Sequence, residues 1–390
     1  MSVLHGIANE LRLIWRVVQG KNRGQIVSLV RRLQKARSTS VLPTLTPEEE
    51  SLVREIRKVT EVHNRNNLTR TNAYLDFYLA HPEVHWALLA HMVSRNGGWS
   101  MTDVKGEWFS RIAETVDANR FFLFLERANW LIFGDAYPQL LVYAESVKRG
   151  RDLSHLLGHL GVSRFMEPIW PVFLQTQDSS LITRALIINE QNFIEGRVIQ
   201  NAAYDFEVLL SIEFQAQSIL GLNHVLMPFR KGDRVRVAGT TVKQFGSVDD
   251  RIRTGKRLYS ILFRDNTMHR AIYDWAREVQ HTGSREDYWP DRFSHTSRSN
   301  LSSRYEPIFL QDVSSHTRIY SPRLDEVWED VQHPPAEPGD WFVDDRYVIY
   351  LFDPDPKHPA DFTDTYVESI KTIEHLILAK EKLESLVALT

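Results

Sequence analysis

The chain has 390 residues, 43% hydrophobic and 25% charged, with a formal net charge of −3, which is the composition of a soluble globular protein with a sizeable core. It contains no cysteine, which excludes disulfides, thiol nucleophiles, thiolate zinc centres and cysteine-ligated clusters. No apolar run is long enough for a bilayer span, and Glu10, Arg12 and Arg16 interrupt the N-terminal stretch that a secretory signal would need. A cytoplasmic location is expected.

The charge is unevenly placed. Residues 1–40 carry Arg12, Arg16, Lys21, Arg23, Arg31, Arg32, Lys35 and Arg37 against Glu10 alone, a net +7 that leaves −10 for the remainder. Apolar spacing predicts two amphipathic helices here, over 7–18 and 24–37. This basic helical head could meet an anionic surface or a protein partner, or dock on the acidic body. Few aromatics interleave with the charges, which argues against nucleic acid.

After a short linker, Thr46 with Pro47 and Glu48 to Glu50 predicts a capped helix start. Helical spacing continues to about Phe229, enough for seven to nine helices, with prolines 82, 138, 168 and 171 marking starts or breaks. Within this stretch, "HPEVHWALLAHMVSRNGGWSMTD" predicts a helix from Pro82 to about Arg95. Asn96-Gly97-Gly98 would form a left-handed stop, and Ser100 with Asp103 would cap the next helix. The first of these helices is apolar nearly all round, which predicts burial of His85, His91 and Arg95.

Two further helices break the amphipathic rule. In "RFFLFLERANWLIF" (120–133), Glu126 and Asn129 share an apolar face with Phe122 and Phe133. In "SLITRALIINEQNFIEGRVIQNAA" (180–203), Gln191 and Glu195 lie on the stripe of Ile187, Ile188, Ile194 and Val198, with Arg184 on the same side. Polar groups in such positions must be paired. His85, His91, Arg95, Glu126, Asn129, Gln191 and Glu195 therefore form either an internal packing network or the lining of a polar pocket between helices. In a pocket, histidine and carboxylate could bind a metal or transfer protons, and Arg95 could hold an anion.

Strand-like material comes later. "DRVRVAGTTVKQF" (233–245) alternates charged and β-branched residues, and "DWFVDDRYVIYLF" (340–352) reads as a hairpin about Asp344-Asp345. Residues 295–304 and 333–340 are loops by composition. "RKGDRVRV" and "DDRIRTGKR" make a locally basic region, and "REDYWPDRF" is an aromatic loop suited to a partner surface or to anchoring on the body. A final amphipathic helix from roughly Thr363 to Leu389 presents Tyr366, Ile370, Ile373, Ile377 and Leu383. The expected architecture is mainly α: a multi-helical soluble body with a small β-hairpin-containing part in the second half. Its divisions would be the 1–40 head, a 45–230 helical core and a 231–390 α+β remainder packed on it.

No nucleophile elbow, phosphate-binding loop or dinucleotide fingerprint occurs. His81 with His85, and His155 with His159, have helical ligand spacing, but "SHLLGHLGVS" lacks the acidic residue of a zinc-protease motif. "NLTRTNAYLDFYLAHPEVHWALLAHMVSRNGGWSMTDVKG" (67–106) and "INEQNFIEGRV" (188–198) resemble the YppC-like proteins, a bacterial family known mainly from bacilli and classed as a domain of unknown function. The resemblance covers most of the chain from about residue 45. It implies a cytoplasmic bacterial setting and supplies no activity, cofactor or catalytic residue. The residues themselves favour a helical binding protein with an internal polar pocket. The alternatives are a metal-assisted or acid/base hydrolase using His85 or His91 with Glu126 or Glu195, and an interaction factor acting through the basic head.

Overall fold

A computed structural model of the protein describes residues 23–38, 41–112, 118–201, 223–296, 304–311, 317–356 and 361–387. The helix expected over 7–18 lies outside these residues. The partner helix is present as α1 (Arg23–Ser38), docked through buried Leu29 and Leu33 with Arg31 and Arg32 exposed.

The helix starts follow local chemistry. α2 (Pro47–His63) begins at Thr46, whose hydroxyl accepts from the Glu49 backbone while Glu49 Oε2 accepts from the Thr46 N–H. α3 (Asn67–Ala80) begins with the same reciprocal cap between Asn66 and Thr69. Each cap satisfies N–H groups that a helix start otherwise leaves unpaired. α4 (His85–Asp103), α5 (Glu107–Ile112), α6 (Ala118–Arg149), α7 (Ile169–Thr176) and α8 (Ser179–Ile194) follow, and α8 runs into a π turn over Glu195–Ile199.

α4 is the hub and packs against α3, α6 and α8. It corrects the expected helix at both ends. Pro82 and Glu83 form a turn, so the helix starts at His85, and it passes through Gly97 and Gly98 to Asp103 without a left-handed stop. The glycines serve close packing instead: a Cβ on Gly98 would lie 2.5 Å from both Asn67 Oδ1 and His281 Nε2. Ser100 and Asp103 therefore cap nothing; they belong to the last turns of α4. α6 likewise continues through Pro138. That proline forfeits one helical hydrogen bond, but Ala136, Tyr137, Leu140 and Val142 around it are buried.

The chain is mainly α, with a small hairpin in its second half. β1 (His224–Lys231) pairs antiparallel with β2 (Arg234–Thr241) across Gly232-Asp233, where Gly232 has φ +61°, the left-handed geometry that a two-residue hairpin demands. Helical spacing therefore ends before His224 and not at Phe229. Asn96 supports β1: its side-chain amide donates to Leu226 O and accepts from Leu226 N, both at 2.7 Å.

α9 (Val248–Phe263) and α10 (Asn266–Glu278) then pack on the hairpin and the hub. A two-residue parallel pair joins β3 (Phe293–Ser294) to β4 (Ile319–Tyr320). The hairpin expected over 340–352 does not form. Those residues make turns and one helical turn, Ile349–Phe352, tied down by Lys256 Nζ, which donates to the Tyr350 and Asp353 carbonyls. Their aromatic and branched side chains reflect burial, as at Phe342, Val348 and Leu351. α11 (Thr363–Val387) buries Tyr366, Ile370, Ile373 and Ile377 but leaves Leu383 exposed. One apolar cluster extends from Leu29 on α1 to Ile377 on α11. Among the described residues no helix is long and apolar enough to cross a membrane.

Candidate functional site

The seven polar residues singled out from the sequence are brought together only in part. His91 and Arg95 form one pair. Arg95 Nε donates to His91 Nε2 at 2.9 Å, so His91 Nδ1 carries the proton that it donates to Thr71 O at 2.8 Å. Burial, with the Arg95 charge, pushes His91 well below the ordinary histidine range. Both ring nitrogens are committed. Arg95 also donates to the Ala276 and Val279 carbonyls at the end of α10 and stacks over Trp275, the favourable place for a cation at a helix C-terminus. Burial lowers its pKa to about 10, so the cation persists at neutral pH.

His85 stands apart, its ring stacked 3.9 Å from Phe263 and its Nδ1 3.1 Å from Tyr259 OH. Burial lowers its pKa to about 4. Gln191 and Glu195 meet through Arg251, which donates to Gln191 Oε1 at 2.9 Å and pairs with Glu195. Asn129 donates to Leu125 O on its own helix and lies against Gly97. Between α6 and α8, two of the three helices expected to line a polar pocket, Phe124, Leu131, Phe193, Ile194 and Val198 form an apolar cluster. The spaced histidines also diverge: His155 pairs with Glu49, His159 bonds the Pro43 carbonyl, and His81 pairs with Glu83.

Glu126 is different. It is 2% exposed and forms the floor of an open cleft of about 400 Å³, within the range of small-molecule sites. The cleft lies between α6, the start of α3 and the segment 324–331; Asn66, Phe122, Asp325, Trp328 and Glu329 contribute walls and rim. Arg70 reaches Glu126 Oε2 at 2.5 Å and is itself held by the Asn64 carbonyl and side chain. Burial raises the Glu126 pKa, but the charge and hydrogen bond of Arg70, with His333 beside the other oxygen, outweigh this and hold it below the usual carboxylate range. The other oxygen, Oε1, has no hydrogen-bond partner among the described residues. Facing it at 3.7 Å is Nε2 of His333, whose side chain is 5% exposed and whose Nε2 likewise has no hydrogen-bond partner among them. The gap is too wide for a direct hydrogen bond. Two buried, opposed polar atoms are thus left unsatisfied, an arrangement that normally marks a bound water, ion or ligand atom.

The loop carrying His333 is fastened from α6 and the π turn. Arg127 donates to the Pro334 and Pro335 carbonyls, and Arg197 to the Glu337 and Gly339 carbonyls. Trp130 packs its ring 5.2 Å from His333. On the opposite wall Trp328 is fixed between Phe122, stacked at 4.0 Å, and Lys105 Nζ at 4.6 Å, and it donates to Met101 O.

Arg70 and His333 were missed by sequence reasoning. Arg70 sits on a polar-rich helix and His333 in a proline-rich loop, and neither carries a local signal of burial. A second missed group is Asp135, buried one helical stretch beyond Glu126. Burial raises its pKa to about 7 although Gln139 and Asn189 both donate to it. Glu190, which accepts from Trp86 Nε1 and Gln191, is raised by burial to about 8. A void beside Asp103 and Arg285, of about 20 Å³, holds at most a water molecule. Among the described residues no three His, Asp or Glu side chains converge as a metal centre requires.

Comparison with known proteins agrees with the resemblance in the sequence. The family model described as "Protein of unknown function (DUF2515)" matches residues 62–357. The "Uncharacterized protein YppC" of Bacillus subtilis (strain 168) is 44% identical over 236 residues, 60% of this chain and 72% of that protein. No solved structure matches.

Proposed function

Since the chain belongs to the DUF2515 family, whose function is unknown, we propose from its own geometry that it is a binding protein taking a small polar ligand in the cleft over Glu126. The observation that carries this reading is Glu126, which lines an open cleft of about 400 Å³ and whose buried Oε1, 3.7 Å from His333 Nε2, has no hydrogen-bond partner among the described residues. Leaving a buried carboxylate oxygen unpaired costs on the order of 1–3 kcal/mol, and a ligand donor reaching it from the cleft would recover that cost. Binding is preferred to acid/base hydrolysis because neither His85 nor His91 meets Glu126: His85 is bonded to Tyr259, and His91 to Thr71 and Arg95. No serine, threonine or lysine lines the cleft among the described residues.

Native mass spectrometry of the purified full-length chain, beside Glu126→Gln and His333→Ala, tests the proposal. The expected result is a retained small molecule, or one taken up from a polar metabolite mixture, that both folded variants release. A wild type that retains and takes up nothing would overturn it.

A second reading rests on α1, where Arg31 and Arg32 are exposed while Leu29 and Leu33 are buried against the body. Contact of this basic face with an anionic surface would show as flotation with anionic vesicles that Arg31→Glu with Arg32→Glu abolishes.

A further inference from the structure

We infer that His333 is a proton-driven latch: when protonated it closes the gap to Glu126 and clamps the stretch before Pro334 onto α6. The device needs nothing in the cleft, so it stands or falls separately from the ligand proposed above.

Glu126 Oε1 and His333 Nε2 are both buried, face each other at 3.7 Å and have no hydrogen-bond partner among the described residues. A charge-assisted N–H···O bond spans about 2.7–2.9 Å, so a shift of roughly 1 Å would make one. A neutral imidazole with its proton on Nδ1 turns the Nε2 lone pair towards the carboxylate, and two acceptors repel. That repulsion gives the separation a physical cause. With a proton on Nε2 as well, the ring is a cation facing an anion, and the same placement becomes attractive.

Both signs of charge surround the ring. From α6 come Glu126 and Arg127, the latter over the Trp130 ring that packs against His333. From α3 comes Arg70, bound to the other oxygen of Glu126. The loop carries Glu337, which pairs with Arg127, and the π turn adds Arg197, which donates to the Glu337 carbonyl. Asp325, Glu329 and Asp330 belong to the preceding segment, and Asp330 is taken by Arg65. Against its own burial Glu126 is kept ionised by Arg70, so the anion is present throughout. Histidine is the side chain that changes charge between about pH 5 and 8, and the exposed 5% of the His333 side chain admits the proton.

The chain around His333 leaves this one attachment open. Asp330 is held by Arg65 and by the Asn66 amide, and Pro334 by Arg127. Between them, residues 331–333 make no hydrogen bond among the described residues. Val331 lines the cleft, so the latch sets how firmly that wall is held.

Amide hydrogen exchange of the full-length protein, followed across residues 331–337 at about pH 8 and about pH 5.5 and corrected for the intrinsic effect of pH, tests the latch. In wild type, protection should rise by about tenfold on acidification, the scale of gaining a charge-assisted hydrogen bond. His333→Gln keeps a neutral polar side chain of similar reach and should give a flat profile, as should Glu126→Gln. The histidine variant removes no bond that holds the fold, so it decides the matter even if Glu126→Gln, which leaves Arg70 unpaired, does not fold. Asp135 titrates in the same range but is retained in His333→Gln, so its effect cancels in the comparison. A flat wild-type profile would overturn the latch and indicate a water bridging the two atoms in either state. A rise that survives in His333→Gln would overturn it as well.

Discussion

Asp103, the last residue of α4, grips Arg285 with two hydrogen bonds, Nε to Oδ1 at 2.7 Å and Nη2 to Oδ2 at 2.6 Å. Arg285 also donates to the hydroxyls of Tyr288 and Tyr366, which are 2.7 Å from each other. The pair fastens the hub helix to the 285–289 turn and to α11. Its side chains are 7% and 13% exposed, so either half alone becomes a buried, unpaired charge. Asp103→Ala should cost about 3–5 kcal/mol, read as the loss of urea unfolding free energy. A loss of less than about 1 kcal/mol, the scale of an exposed pair, would show that Arg285 finds another partner.

Gly98 to alanine is the second test. In an open helix interior this change gains up to about 1 kcal/mol. Here the new methyl group would sit 2.5 Å from Asn67 Oδ1 and His281 Nε2, which hydrogen-bond each other at 2.9 Å. Destabilisation of about 2–3 kcal/mol is expected. Gly97, whose Cβ would meet Asn129 at 3.3 Å, should tolerate alanine far better. A stabilised Gly98→Ala would refute the packing of α4 on α3.

Asp135 should tilt stability with pH. Its folded pKa is about 7 against an ordinary 3.8, raised by burial. Between these values the folded chain keeps a proton that the unfolded chain has lost, so stability falls as pH rises from about 4 to 7 and is level above. Asp135→Asn retains an acceptor for Gln139 and Asn189 and removes this slope. The variant should gain on wild type through that window, by on the order of 1.4 kcal/mol for each pH step of one. His85 acts on the acid side: with a folded pKa of about 4 against an ordinary 6.5, the folded chain binds fewer protons than the unfolded chain between these values, and stability is lost as pH falls through them. Chemical denaturation of wild type and both His85→Phe and Asp135→Asn across roughly pH 4–8 measures each limb. A wild-type-like profile in Asp135→Asn would mean that the carboxyl ionises normally.

Arg127 should govern the His333 loop. Its guanidinium is buried and donates to the Pro334 and Pro335 carbonyls. Arg127→Ala removes two hydrogen bonds to backbone, worth about 1–3 kcal/mol together, and should speed amide exchange around residues 332–340 while α6 stays protected. Unchanged exchange in the loop would show that Arg197 and the packing on Trp130 suffice to hold it.

How far the site could be read from sequence differs residue by residue. Glu126 announced itself, because a carboxylate among Phe122, Phe133 and Leu131 must be buried. His91 and Arg95 did so because α4 is apolar on nearly every side. Their partners were not legible. Arg70 and His333 reach Glu126 from distant parts of the chain, and His333 lies in a loop whose composition says only that it is irregular. The glycines misled for a related reason: Asn96-Gly97-Gly98 is a sound local stop signal, overridden by Asn67, His281 and β1 closing on that face of α4. The hairpin expected over 340–352 failed because branched and aromatic residues mark burial as readily as strand.

By itself the sequence determined a mainly helical chain without cysteine or an apolar run long enough to span a bilayer, its capped helix start at Thr46, and which polar residues would be taken inside. Those properties depend on composition and on neighbours within a turn or two, where spacing and capping act. The tertiary structure alone decided how the buried groups are paired: His91 with Arg95, Gln191 and Glu195 with Arg251, Asp103 with Arg285, and Glu126 with Arg70 on one oxygen only. Pairing inside a core is a matter of which distant side chains arrive at hydrogen-bonding distance, and that is fixed when the helices pack. The same packing set Glu126 and His333 face to face, just beyond the reach of a direct hydrogen bond.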